Sequence, residues 1–97
     1  MPVTSALVPT AHASRYLQQL CKHWAHKLEV SFTPEHGTVK LPDGAVATMD
    51  ARAEALDLRI EAGNAETLER MKDVVARHLD RFAFREAPLP FDWKDAA

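Results

Sequence analysis

Cysteine is nearly absent from this 97-residue sequence, because Cys21 is the only one. No intramolecular disulfide can form, which is typical of a reducing compartment, and we expect a cytoplasmic protein. With only three glycines, the sequence has no glycine-rich loop of the kind that binds phosphates or dinucleotides. No apolar run approaches the roughly 20 residues of a transmembrane helix, and the first residues do not resemble a signal peptide. We therefore expect no membrane association.

Acidic residues are missing from the first 28 positions, although the whole chain has a formal net charge of −2. The same stretch holds three bases, Arg15, Lys22 and Lys27, and three of the five histidines. The net negative charge argues against a nucleic-acid-binding protein. The local positive charge suits an anionic ligand or an acidic partner surface.

Apolar spacing predicts one α+β domain over residues 1–97. Apolar residues recur every three to four positions in residues 11–27 and 65–81, which predicts two amphipathic helices with Thr10 and Asn64 as N-caps. Alternation of apolar and polar residues predicts six strands. These strands are residues 3–8, 28–33, 38–41, 45–49, 56–61 and 89–94.

The order β-α-β-β-β-β-α-β predicts an antiparallel meander sheet. Asp43-Gly44 is typical of a type I′ hairpin turn, in which both residues have positive φ. Each helix has a single apolar stripe, so we expect both on one face of the sheet, as a two-layer sandwich. Pro90 indicates that the last strand lies at an edge, because proline has no N–H for the ladder.

Two segments resemble a known bacterial family. The first consists of Ser14 to Leu17 and Leu20 to Lys27, and it contains the string Cys-Lys-His-Trp-Ala-His-Lys. The second is Val74 to Glu86. Both are similar to the family called domain of unknown function 2218, and the resemblance covers nearly the whole chain. The family has no established catalytic residues, so the resemblance implies none here. Its association with siderophore-interacting flavin-dependent reductases implies a link to iron handling.

The first predicted helix carries the candidate ligand site. His12, Gln19, His23 and His26 share the side of the helix that faces away from the sheet. If the two helices lie side by side, bases from both would meet in one groove that suits a carboxylate, a phosphate or an acidic partner. The predicted ligand-binding residues are Lys22, His23, His26, Lys27, Arg77, His78 and Arg81, with Arg85 nearby. The alternative is a solvated charged face.

A metal site is a second hypothesis for the same helix. His23 and His26 are three residues apart, and two imidazoles at that spacing can share one metal ion. This hypothesis describes a metal-dependent enzyme, and its third ligand would come from His12, His36 or His78. The bases of the helix count against it, since they repel a cation and no carboxylate lies nearby in sequence.

The remaining cysteine, histidine and tryptophan side chains have structural explanations. We expect Cys21 to be a buried, inert thiol. We expect His78 to lie at the boundary of the apolar stripe of the second helix, where it has a structural role or acts as a general base or an anion contact. Trp24 and Trp93 are expected in the core, with a Trp-lined pocket as the alternative. No nucleophile elbow, P-loop or zinc finger is present. We therefore predict a small accessory or binding module, monomeric or homodimeric, with a structural homodimerising domain as a further alternative.

Overall fold

A computed structural model describes residues 2–83, 85–86 and 89–96. The elements are β1 (Val3–Pro9), α1 (Ala13–Trp24), β2 (Glu29–Phe32), β3 (His36–Lys40), a 3-10 turn (Pro42–Gly44), β4 (Val46–Ala51), β5 (Ala55–Glu61), α2 (Ala65–Phe82) and β6 (Lys94–Ala96). The predicted order of strands and helices is confirmed. In the described part of the chain, neither helix combines the length and the apolar content needed to cross a membrane.

The six strands form one antiparallel sheet in the order β2-β3-β4-β5-β1-β6. Strands β2 to β5 form the predicted meander, β1 pairs with the far side of β5, and β6 pairs with β1 at the edge. Helix α1 packs on β2, β3, β4 and β5, and α2 packs on β5 and beside α1. The α+β sandwich with both helices on the sheet is confirmed.

The core lies between the two helices and the sheet. Leu17 and Leu20 of α1, Ile60 of β5 and Leu79 of α2 are all fully buried. Burial alternates along the strands, so the second face of the sheet points away from the helices. On that second face Leu7 is 57% exposed, and no other large apolar side chain of the described residues is exposed.

Two predicted turn and cap positions are confirmed. Asp43 and Gly44 both have positive φ, 63° and 78°, as the type I′ pair requires. The N–H of Thr67 donates to the side-chain oxygen of Asn64 at 2.8 Å, which caps α2.

Helix α1 begins later than predicted. The Thr10 hydroxyl accepts a hydrogen bond from the N–H of His12 at 3.0 Å and donates one to the Glu86 carboxylate at 3.0 Å. The chain therefore makes a turn at this point, and the residue in the N-cap position is His12, whose side chain makes no capping bond. The predicted Thr10 cap was wrong because Thr10 is held by a residue far along the chain.

The same helix also ends earlier than predicted, at Trp24. The N–H of Leu28 donates to the carbonyl of Trp24 at 2.7 Å, which closes a turn over residues 25–27. His26 and Lys27 therefore lie beyond the helix, in this turn.

Most of the predicted last strand is not a strand. The segment pairs with β1 only from Lys94 onward. Before that, the N–H of Leu89 donates to the Asp80 carboxylate at 3.0 Å, and the rings of Phe91 and Trp93 stack with centroids 5.9 Å apart. Residues 89–93 are held by side chains instead of a ladder. The predicted edge position is confirmed.

Candidate functional site

Basic and aromatic side chains of the two helices meet where α1 runs beside α2. The ring of His23 lies 5.8 Å from that of His78 and 5.7 Å from that of Phe82, centroid to centroid. Trp24, which is in the core as expected, has its ring 5.2 Å from His78. The structure thus brings two of the predicted ligand-binding residues, His23 and His78, into one cluster.

His78 is oriented by its own helix. Its Nδ1 lies 2.6 Å from the carbonyl oxygen of Val74, one turn earlier. A carbonyl only accepts, so Nδ1 carries a hydrogen and donates it. The remaining nitrogen, Nε2, is then the one left for a ligand. His78 is half-buried, as its predicted place at the boundary of the helix stripe requires.

A depression of about 260 Å³ lies beside this cluster. It is lined by Arg15, Tyr16 and Gln19 of α1, and by Phe82 and Arg85 at the end of α2. Arg15, Gln19 and His23 follow one another at intervals of four residues, so they lie along one side of the helix. Because Phe82 contacts His23 and also lines the depression, the two features are continuous.

One wall of the depression is fixed by a partly buried hydrogen-bond network. The hydroxyls of Tyr16 and Thr10 both donate to the Glu86 carboxylate. The hydrogen bond from Tyr16 lowers the pKa of Glu86, while burial and the adjacent carboxylate raise the pKa of Tyr16. This network joins the segment after α2 to the start of α1. It also engages the Tyr16 hydroxyl, so the polar groups that α1 leaves to meet a ligand are those of Arg15 and Gln19.

The other predicted ligand-binding residues lie on the surface. Lys22, His26, Lys27 and Arg81 are exposed, and none makes an ion pair with another described residue. Arg77 is also exposed, but its guanidinium pairs with the Asp73 carboxylate at 2.9 Å, which offsets its charge. None of these residues lines the depression.

The metal hypothesis finds no third ligand in the described part of the chain. No three histidine, cysteine or acidic side chains converge there as a metal-binding group. The helical spacing assumed for His23 and His26 does not hold, because His26 follows the end of the helix. His36 lies on the opposite face of the sheet, with its Nδ1 2.7 Å from the Asp50 carboxylate.

Sequence reasoning missed part of the lining. Arg15 was counted in the sequence only as a charge and was not placed among the predicted ligand-binding residues. The repeat of Arg15, Gln19 and His23 every four residues is a signal that points to one polar side of α1, but nothing local places Phe82 beside it. Cys21 is fully buried, and burial raises its pKa to about 11, so it is the unreactive thiol that was expected.

Comparison with known proteins agrees with this architecture. A family model described as "Uncharacterized protein conserved in bacteria (DUF2218)" matches residues 5–94. The NMR structure of PA4090 from Pseudomonas aeruginosa is similar, with 31% sequence identity and a TM-score of 0.76, over 99% of this chain and 96% of that one. No curated protein matches the chain. These findings extend the shared fold over almost the whole chain.

Proposed function

This chain belongs to the uncharacterised bacterial family DUF2218, and we propose that it is a binding module for a small anion rather than an enzyme. The observation that carries the proposal is Arg15, whose exposed side chain lines a depression formed between α1 and the end of α2. Guanidinium groups bind carboxylates and phosphates through paired hydrogen bonds, and they keep their charge at any physiological pH.

The lining also favours a flat, apolar part in the ligand. The ring of Phe82 lines the depression, and the ring of His23 packs against it. A volume of about 260 Å³ lies just below the usual range of small-molecule sites, roughly 300–1,000 Å³, so the ligand is small. An aromatic carboxylate or an aryl phosphate meets both requirements. An iron(III)–siderophore complex is larger than the depression, so it would bind through one anionic arm.

Exposed bases on the segments that form the groove add positive charge. We expect Lys22, Lys27 and Arg81 to raise the local concentration of anions without touching the ligand. Their effect is screened by salt beyond about 8 Å at physiological ionic strength. Affinity therefore depends on Arg15, with Gln19 as a neutral hydrogen-bond donor, and the outer bases affect the rate of association.

The first experiment is an NMR titration of untagged protein with benzoate, phenyl phosphate and inorganic phosphate. We expect saturable shifts at Arg15, Gln19 and His23, and tighter binding of the two aromatic anions. Arg15→Gln should weaken binding about tenfold or more, because a hydrogen bond to a charged group is worth about 1.5–3 kcal/mol. The matched control is Arg59→Gln, whose guanidinium lies on the other face of the sheet and pairs with Glu61 at 3.1 Å.

Two results would count against this function. Equal affinities for wild type and Arg15→Gln would remove the depression as the site. If no probe gave saturable shifts and the protein sedimented as a stable dimer, the structural homodimerising alternative would take its place.

A further inference from the structure

A second and larger depression, of about 450 Å³, lies on the face of the sheet that the helices leave open. Ser5 and Leu7 of β1 contribute to it, and both side chains are exposed on that face. The depression exists because β6 pairs with β1 only at residues 3–5. Beyond Ser5 the segment of residues 89–93 leaves the strand register, and the space between it and β1 stays open.

The apolar part of this depression is Leu7. Its side chain is 57% exposed on the open face of the sheet. Directly opposite Leu7 in the ladder is Asp57, and the Asp57 carboxylate is already paired with the Arg52 guanidinium at 2.9 Å. That pair closes one side of the depression with no net charge.

The opposite side carries two charges of opposite sign that are not paired. Asp92 and Lys94 both line the depression. Among the residues that the structure describes, neither side chain makes an ion pair or a hydrogen bond. An unpaired carboxylate and an unpaired ammonium beside an exposed leucine are complementary to a zwitterion with an apolar side chain.

We propose that this depression binds a free α-amino acid with an apolar side chain, such as leucine. The α-ammonium group of the ligand lies toward Asp92, its α-carboxylate toward Lys94, and its side chain on Leu7. The volume is within the usual range of small-molecule sites, roughly 300–1,000 Å³, and exceeds what one amino acid needs. This site lies on the opposite face of the sheet from the depression between the helices, so the two proposals can be tested independently.

The test is an NMR titration of the untagged protein with L-leucine, observed at the amides of Ser5, Leu7 and Lys94. Two analogues each lack one charge: 4-methylpentanoate has no ammonium group, and leucinamide has no carboxylate. We expect each analogue to bind about three- to tenfold more weakly than leucine. This loss lies between the contribution of an exposed ion pair and that of a hydrogen bond to a charged group.

Single variants then assign each charge to its residue. Asp92→Asn should weaken leucine three- to tenfold but should not weaken 4-methylpentanoate, because that analogue has no ammonium group to contact Asp92. Lys94→Gln should likewise weaken leucine but not leucinamide, which has no carboxylate. The control is Lys40→Gln at the far end of the same face, where Lys40 pairs with Glu29 at 2.6 Å. Unaltered leucine affinity in Asp92→Asn and Lys94→Gln, or 4-methylpentanoate as tight as leucine, would overturn the proposal.

Discussion

Helix α1 approaches the sheet so closely at Gly37 that an added methyl group has no room. A Cβ at this position would lie 2.9 Å from the Sγ of Cys21 and 3.4 Å from a methyl of Leu17. Both of these side chains are fully buried, so neither can turn into solvent to make space. We therefore expect Gly37→Ala to push α1 away from β3 and to destabilise the protein.

The size of this effect follows from two opposing contributions. Overpacking a core costs about 1–3 kcal/mol, whereas replacing glycine by alanine lowers the entropy of the unfolded chain and stabilises by about 0.4–1 kcal/mol. The expected net loss is about 1–2 kcal/mol. In a domain of this size each kcal/mol shifts Tm by roughly 4–8 °C, so the Tm of Gly37→Ala should fall by roughly 4–16 °C.

A double-mutant cycle with Cys21→Ala makes the prediction specific. Cys21→Ala alone leaves a small cavity and should cost about 1 kcal/mol. In the double variant the sulfur is gone and the new methyl fills its space. The double variant should therefore be destabilised by about 1–2 kcal/mol less than the sum of the two single losses. Urea unfolding of the four proteins measures this coupling. Gly63→Ala is the control, because a Cβ at Gly63 meets no atom within 4 Å.

Strict additivity in that cycle, or a Gly37→Ala variant as stable as the wild type, would show that α1 does not lie as close to β3 as the structure has it.

Two further predictions concern the ends of the helices. Asn64→Ala should lower the free energy of unfolding by about 1 kcal/mol, because the N–H of Thr67 loses its cap, and Asn64→Asp should retain most of the stability. For Glu86, the hydrogen bond from Tyr16 holds the folded-state pKa below the ordinary value of 4.5. The stability from this carboxylate is therefore present above pH 4.5 and lost as pH falls through the folded-state pKa. The advantage of wild type over Glu86→Gln in urea midpoint should be full at pH 6.5 and shrink steadily toward pH 3; a difference independent of pH would contradict this.

The elements that sequence analysis predicted correctly depend on neighbouring residues. Asp43-Gly44 forms its turn because this pair tolerates positive φ, and Asn64 caps α2 because its side chain reaches an N–H three residues later. Strand β5 is recognisable because its side chains alternate between a buried and an exposed face. Each of these features is determined within a few residues, so the sequence predicts it directly.

The errors occur where distant residues decide the local structure. Helix α1 begins late because Thr10 is held by Glu86, which is 76 residues further along the chain. The segment before β6 is held away from β1 at its start, because the N–H of Leu89 donates to the carboxylate of Asp80 in α2. These contacts produce no periodic pattern in the sequence, so sequence analysis cannot predict them.

For the candidate sites, too, some features can be predicted from the sequence and others depend on the fold. The absence of acids from the first 28 residues and the placement of His12, Gln19, His23 and His26 on one side of the predicted helix pointed to a basic, histidine-rich surface there. Only the packing of α2 beside α1 brought Phe82 and Arg85 to that side and made a depression there. The cavity on the open face of the sheet depends on where β6 stops pairing with β1. Charge and periodicity are properties of the chain, whereas a cavity requires atoms from segments that only the folded structure brings together.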